Sequence, residues 1–407
     1  MSATTINLGV AGLGRAFMLM LPTFIADPRI RLVVCADPRA DARARFEAEC
    51  GGRSHESVDA LCADPAVDVV YLSTPHQFHA AHVVAAARHG KHVVVEKPMA
   101  ITLEECAAMI DAASRAGIQL IVGHSHSFDA PVLRAREHIA AATYGQLRMI
   151  TAIHYTDFLY RPRRPEELDT AQGGGVVFSQ GVHQVDIARL LGGGRARSVR
   201  AHTGAWDRTR GTEGAYSALL AFESGAFATL VYSGYAHYDS DELSGWISEM
   251  GHPKDPAKYW TTRASLQRAT QRGSQAQDET ALKYTRAYGT GSIDARPAAG
   301  HNHFGMIVAS CDRADLRPLP NGVMIYADDA AQLDPVALPS VPRVEVIDEL
   351  ADAISGKRPA VHNGEWAMAT LEVCLAILES SRAGREVMLR HQVSVPSIAV
   401  ETSAVTP

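Results

Sequence analysis

Ile6-Asn7-Leu8-Gly9-Val10-Ala11-Gly12-Leu13-Gly14-Arg15-Ala16 decides the fold of this chain. Its first six residues read as a short apolar strand, two glycines make a tight turn, and residues 17–25 continue as an apolar helix-like run. Strand, glycine turn and helix in that order let a backbone approach a pyrophosphate. The charge is then met by backbone N–H groups and by the positive end of the helix, which makes Gly12, Gly14, Arg15 and Ala16 the expected cofactor-binding positions. The usual third glycine is replaced by Phe17. A second apolar strand, residues 30–36, ends in Asp37, about 25 residues after the turn, near the spacing of a carboxylate that holds an adenosine ribose. Such a carboxylate accepts hydrogen bonds from both ribose hydroxyls and repels a 2′-phosphate, so NAD is expected over NADP. Arg39 keeps NADP open, unless it is a solvated surface arginine.

Two further strand ends line the same edge. Residues 67–72 read as a buried strand ending in Ser73-Thr74-Pro75-His76-Gln77-Phe78-His79, which brings hydroxyls and imidazoles to the cofactor side. For His76 and His79 the alternative is helix-start capping and packing. The stretch His92-Val93-Val94-Val95-Glu96-Lys97-Pro98 then ends an apolar strand in an acid, a lysine and a strand-breaking proline. Lysine is a poor choice there unless it is paired or used, because desolvation disfavours its charged form. Glu96 is the candidate partner, and Lys97 the candidate catalytic group. The plainer reading of Glu-Lys-Pro is a turn that ends the strand.

Composition bounds the answer. A chain of 407 residues suggests two domains, and 46% hydrophobic with 21% charged residues is ordinary for a globular protein. No apolar run reaches the roughly 20 residues of a membrane helix, and the start lacks a signal-peptide layout. Cys35, Cys50, Cys62, Cys106, Cys311 and Cys374 form no C-x-x-C pair and read as reduced cytoplasmic thiols. A net charge of −6 argues against nonspecific nucleic-acid binding.

The expected fold is α/β: a doubly wound parallel sheet over residues 1–123, then an α/β domain on an open, mostly antiparallel sheet over 124–392, with a tail at 393–407. A helix at 102–116 and a strand at 119–122 close the first domain. Strands are expected at 147–155, 197–203, 216–223 and 226–232. The polar stretch 239–301, with Trp246 and Trp260, reads as a helical insertion or a lid. His124 with His126, and His301 with His303, alternate as metal ligands do, but no third ligand has useful spacing, so no metal is expected.

A second constellation is Gly173-Gly174-Gly175-Val176-Val177-Phe178-Ser179-Gln180-Gly181-Val182-His183-Gln184-Val185-Asp186. A helix after the glycines turns Ser179 and His183 to one face, and a histidine has the right ordinary pKa to take a hydroxyl proton near neutrality. Asp186 either orients His183 or caps the packing beneath it. Just upstream, Tyr155-Thr156-Asp157-Phe158-Leu159-Tyr160-Arg161-Pro162-Arg163-Arg164-Pro165 holds three arginines, Arg161, Arg163 and Arg164. Arginines clamp carboxylates with paired hydrogen bonds, which suits an acidic substrate. Glu166, Glu167 and Asp169 could instead balance them in a solvated loop. His126, Tyr155, Ser179 and Gln180 complete the expected substrate wall.

The order of Gly12-Leu13-Gly14, Asp37, Ser73-Thr74-Pro75 with His79, Gly90-Lys91-His92 before Glu96-Lys97-Pro98, and Gly173-Gly174-Gly175 with His183 and Asp186 resembles the Gfo/Idh/MocA oxidoreductases. The resemblance runs to Gly356-Lys357-Arg358-Pro359 and the helix at 366–382. It implies NAD(P) in an interdomain cleft, catalysis by Lys97 and His183, a small-molecule substrate, and a homodimer or homotetramer. Ser179 stands where many relatives have an aspartate that grips a sugar hydroxyl, and His124-Ser125-His126 replaces an asparagine and an arginine. The tract at 301–318 and the arginine loop resemble the branch containing phthalate cis-4,5-dihydrodiol dehydrogenases. That branch implies oxidation of a carboxylated aromatic cis-dihydrodiol. A sugar or inositol dehydrogenase of the same family and a non-catalytic dinucleotide-binding sensor stay open.

Overall fold

The computed structural model describes residues 5–259, 261–270, 275–290 and 298–396. Trp260 and residues 397–407, most of the expected tail, lie outside the described residues. The first sheet has the order β3-β2-β1-β4-β5-β6, all parallel: β1 Ile6–Ala11, β2 Ile30–Ala36, β3 Arg53–His55, β4 Val69–Leu72, β5 His92–Val95 and β6 Leu120–Val122. The order reverses between β1 and β4, which is where a ligand crevice opens in such sheets. Five helices cover it: α1 Arg15–Ala26, α2 Ala40–Cys50, α3 Val58–Ala63, α4 His79–Arg88 and α5 Leu103–Ala116. Thr102 starts α5 as expected, its hydroxyl accepting from Glu105 N–H at 3.1 Å.

The second sheet has nine strands in the order β14-β13-β12-β11-β7-β10-β9-β8-β15. They are β7 Leu147–Tyr155, β8 Ala196–Gly204, β9 Ala215–Phe222, β10 Phe227–Ser233, β11 Met306–Cys311, β12 Ala314–Leu319, β13 Gly322–Ala327, β14 Ala331–Pro335 and β15 Val387–Met388. Only β7 with β10 is parallel; the remaining neighbours run antiparallel. One face of this sheet packs on α6 Ala130–Ala140, α7 Val182–Leu191 and the long helix α12 Gly364–Ala383. Among its described residues the stretch 239–301 carries the helices α8 Pro256–Tyr259, α9 Thr261–Thr270 and α10 Gln275–Tyr284, joined by turns.

The two expected units are tied together by the chain's return. Val346, Ile347 and Leu350 of α11 (Val344–Ile354) belong to the same core as Leu8, Phe17, Leu21 and Tyr71 of the first sheet. Val122 N–H donates to His362 O at 2.8 Å, and Ile121 bridges Asn363. The first sheet ends at 122, close to the expected boundary at 123, but its core is completed by residues more than 200 positions later.

Candidate active site

At the glycine turn, Gly12 has φ +90°, and a Cβ there would lie 2.8 Å from Ser73 O, so only glycine fits. Ser73 Oγ donates to Gly12 O at 2.6 Å and locks β4 to the turn. Gly14 is the N-cap of α1 with no side-chain cap, and a Cβ built on it meets nothing within 4 Å. The space above the helix start, with the backbone N–H groups of Arg15 and Ala16 behind it, fits a pyrophosphate.

Asp37 sits at the end of β2 as the spacing requires, and both its oxygens already accept hydrogen bonds from the protein. Leu13 N–H donates to Oδ2 at 2.8 Å, and Arg39 donates to Oδ1 through its backbone N–H at 2.9 Å and through Nε at 3.0 Å. Arg39 is not a solvated arginine. It also donates to Leu13 O at 2.8 Å and to Tyr288 O at 3.0 Å. Tyr288, beyond α10, is buried against Phe17 and donates from its hydroxyl to Glu49 at 2.7 Å, so the insertion packs against the Asp37 end of the first sheet. The large residue in place of the third glycine therefore has a packing partner supplied from the insertion.

The next strand end divides into cleft and scaffold. Thr74 Oγ1 lies 3.0 Å from His82 Nδ1, and Pro75 opens a short turn holding His76, whose pKa burial lowers to about 3. His79 is fully buried, with Nε2 2.9 Å from Thr74 O and Nδ1 3.1 Å from Pro98 O. Both ring nitrogens thus face backbone carbonyls, to one of which the neutral ring donates its single N–H, which corrects the expectation that His79 faces the cofactor: it sits between the Thr74 and Pro98 turns. That placement aims Lys97. Nζ of Lys97 donates to Ser179 O at 3.0 Å, and burial lowers its pKa against the pull of Glu96. Glu96 turns to Tyr71, whose hydroxyl donates to it at 2.6 Å, and burial raises the Glu96 carboxyl. Glu96 acts on Lys97 through its charge, not through a direct bond.

The glycine run leads into a π-helical turn, Val177–Gly181, that continues as α7. Such turns commonly mark functional sites. Ser179 offers its carbonyl to Lys97, Gln180 Nε2 also donates to that carbonyl at 3.1 Å, and Gln180 Oε1 accepts from Tyr232 OH at 3.3 Å. His183 is buried, with Nδ1 3.4 Å from both Ser125 Oγ and His126 N–H. Burial first, then Lys97 and the imidazoles of His126, His124 and His154, hold its pKa well below the usual value. Asp186 does not orient it. The Asp186 carboxylate accepts from Trp366 Nε1 at 2.6 Å, from Thr370 Oγ1 at 3.0 Å and from Ser127 Oγ, pinning α7 to α12. His126 Nδ1 is 2.7 Å from Asp129, which His124 shares at 3.5 Å; His301 and His303 spend Nε2 on Val336 O and Ile247 O.

The arginine loop is charge-matched from within. Arg161 Nε donates to Asp157 at 2.7 Å, and both its terminal nitrogens lie 3.4 Å from Glu249. Arg164 Nε lies 3.1 Å from Glu166 and 3.5 Å from Glu167. The Arg163 guanidinium is the least neutralised of the three: it stacks 3.5 Å over Phe158, donates to Phe158 O at 2.8 Å, and has its nearest carboxylate among the described residues, Glu167, at 3.9 Å, while the Arg163 backbone N–H donates to Glu279 at 3.0 Å. Burial lowers its pKa to about 10.

Tyr155 is turned away from the site. Its ring packs on Tyr238 at 5.6 Å, while His154, one residue earlier, points to the other side of β7, because successive strand residues alternate. His154 packs 4.4 Å from Phe304, the ring that also contacts His126 at 5.1 Å and His183 at 5.2 Å. His154, Glu249, Phe304 and Tyr232 escaped the sequence reading. Only the period-two alternation of β7 pointed to the first of them.

With this geometry in view, the comparisons decide the family. Residues 6–124 match the oxidoreductase family with an NAD-binding Rossmann fold, and residues 132–247 match the GFO/IDH/MocA C-terminal domain. A Comamonas testosteroni protein, "1-carboxy-3-chloro-3,4-dihydroxycyclo hexa-1,5-diene dehydrogenase", is 48% identical over 377 residues, 92% of this chain and 95% of its own. The chain belongs to the Gfo/Idh/MocA oxidoreductase family. It is an NAD-dependent oxidoreductase. A solved structure from Bordetella bronchiseptica RB50 superposes with a TM-score of 0.89 at 40% identity, over 95% of this chain and all of that one (100%). Levoglucosan dehydrogenase, solved with NADH and levoglucosan, shares the fold at a TM-score of 0.69, with 18% identity over 97% of this chain and 100% of its own. No helix among the described residues is long and apolar enough to cross a membrane.

Proposed function

We propose that this oxidoreductase dehydrogenates a carboxylated cyclohexadiene cis-diol, with cis-4,5-dihydroxy-4,5-dihydrophthalate as substrate and 4,5-dihydroxyphthalate as product. The observation that carries the reading is the half-buried Lys97, held on Ser179 O, whose charge acts on the buried His183 within a wall of imidazoles beside the arginine loop. The Comamonas relative, named for a carboxylated diene diol, supports this substrate class.

Gly12, Gly14, Arg15, Ala16 and Asp37 would hold the NAD pyrophosphate and ribose, with Ser73, Thr74, Pro75 and His76 along the strand edge. When bound, NAD+ supplies the acceptor for the carbinol hydride. The protein's part is the proton. His126 N–H can only donate, so His183 Nδ1 accepts, and the neutral imidazole carries its hydrogen on Nε2. His183 is thereby a donor to the reacting hydroxyl oxygen, and Lys97, drawn toward its neutral form by burial, takes the hydroxyl proton. The ketone then loses its ring C–H proton to become a catechol, and aromatic stabilisation drives the sequence forward. Arg163, whose guanidinium has its nearest carboxylate among the described residues, Glu167, at 3.9 Å, is the group we assign to a ring carboxylate.

Reduced-nicotinamide absorbance tests the reading, using NAD+ with the phthalate cis-dihydrodiol, a non-carboxylated benzene cis-dihydrodiol, myo-inositol and glucose. Turnover of the carboxylated diol above the rest is expected. Turnover of inositol or glucose alone would return the chain to the polyol dehydrogenases.

A further inference from the structure

His154 and Glu249 form an unsatisfied pair at the heart of the site. His154 is 0% exposed, and among the described residues neither of its ring nitrogens has a hydrogen-bond partner. Oε1 of Glu249 is likewise buried without a partner, while Oε2 is engaged by Arg161. The two orphaned groups face each other, His154 Nε2 to Glu249 Oε1, at 3.6 Å, too far for a hydrogen bond. Buried polar groups normally find partners, and each exception calls for an explanation. A ligand atom that both donates and accepts would satisfy both at once.

We infer that Glu249 and His154 clamp the second, non-reacting hydroxyl of the diol, the hydroxyl donating to Glu249 Oε1 and accepting from His154 Nε2–H. This rests on the dihydrodiol reading above. The vicinal arrangement agrees with the geometry, since His154 and His183 both pack on the Phe304 ring, at 4.4 and 5.2 Å, and would address neighbouring oxygens from one wall. The ionisation states agree as well. Burial lowers the His154 pKa to about 3, keeping one donor and one acceptor nitrogen, while Glu249 resists its burial through Arg161 and the surrounding histidines and is held down to about 2. Ser179 removes a hydroxyl-gripping carboxylate from α7's lead-in, and Glu249 brings one from the insertion instead. A site that hydrogen-bonds a hydroxyl discriminates strongly against the analogue lacking it, because its buried groups are then left unpaired.

The test compares kcat/KM for the carboxylated cis-diol with that for the matching cyclohexadiene mono-ol, which keeps the reacting hydroxyl and lacks the other. In the wild type the diol is expected to lead by a hundredfold or more. Glu249→Gln is expected to shrink that ratio by about 30-fold, and His154→Phe, which keeps the Glu249–Arg161 pair, by about tenfold. NAD binding measured by nicotinamide fluorescence identifies any variant that fails to fold. Equal loss on both substrates, or an unchanged ratio in both variants, overturns the clamp while leaving the dihydrodiol reading intact. A wild type inactive on the diol overturns both, and that result precedes any variant.

Discussion

The two ends of the cleft differ in how completely their polar groups are paired. At the nucleotide end the Asp37 carboxylate takes hydrogen bonds from Leu13 and Arg39, Arg39 reaches on to Tyr288, and Tyr288 reaches Glu49. At the catalytic end Lys97 has one backbone carbonyl, His183 has two long contacts, and His154 and one oxygen of Glu249 have no hydrogen-bond partner among the described residues. Saturation gives a rigid seat for a cofactor common to many reactions. Deficit stores recognition for the one molecule that completes it.

The sharpest way to break the comparison is Lys97→Ala. Turnover should fall about a hundred- to ten-thousandfold, with NAD affinity held within threefold in a fluorescence titration. Equal losses in both would give Lys97 a cofactor-holding role and erase the contrast. The pH profile carries a sign. A base acts deprotonated, and burial moves Lys97 below its ordinary 10.5, so the wild-type rate should rise with pH and level off below that value. Lys97→Ala should lose that limb.

Mild acid should strike the catalytic end next. His124 and His154, held near 3, and His183, held well below 6.5, stay neutral in the fold, whereas the unfolded imidazoles protonate near 6.5. Their folded values are depressed, so nothing is lost above about pH 6.5, and below it unfolding takes up a proton per histidine. Stability should decline by about 1.4 kcal/mol per pH unit for each such histidine. Thermal melts across pH 7 to 5 measure this, and His154→Phe should flatten the slope by one proton.

Smaller effects belong to the other end and the other face. Asp37→Ala should narrow the preference for NAD over NADP by about tenfold in kcat/KM, through loss of the carboxylate that repels a 2′-phosphate. Tyr155→Phe should change diol kcat/KM by less than about twofold, because the Tyr155 ring faces Tyr238. A large loss there would mean that both faces of β7 touch substrate.

What could be read from sequence was local. The turn at Gly12 and Gly14, the strand ending at Lys97 and the run into His183 each carry their signal within about fifteen residues, and the strands at 147–155 and 216–223 lie within one residue of β7 and β9. What escaped was long-range. Glu249 meets His154 across 95 positions and Tyr288 meets Phe17 across 271, and neither pairing leaves a periodic trace. β12 to β14 leave little alternation to read because Asp, Pro or Gly falls at the start of or within each. His79 and Asp186 were chemically suggestive yet serve as fasteners, since a motif specifies residue types and only packing says which way they face.

The return of α11 sets the order in which the protein comes into being. Val346, Ile347 and Leu350 seal the core laid down by β1 and α1, each with roughly 1.5–3 kcal/mol of burial. The amino-terminal half leaves the ribosome first but stays unsealed until residue 354 of 407 has been made. Translation therefore exposes an unfinished apolar seam for most of the chain's synthesis, and a truncation that removes α11 injures the domain farthest from it in sequence.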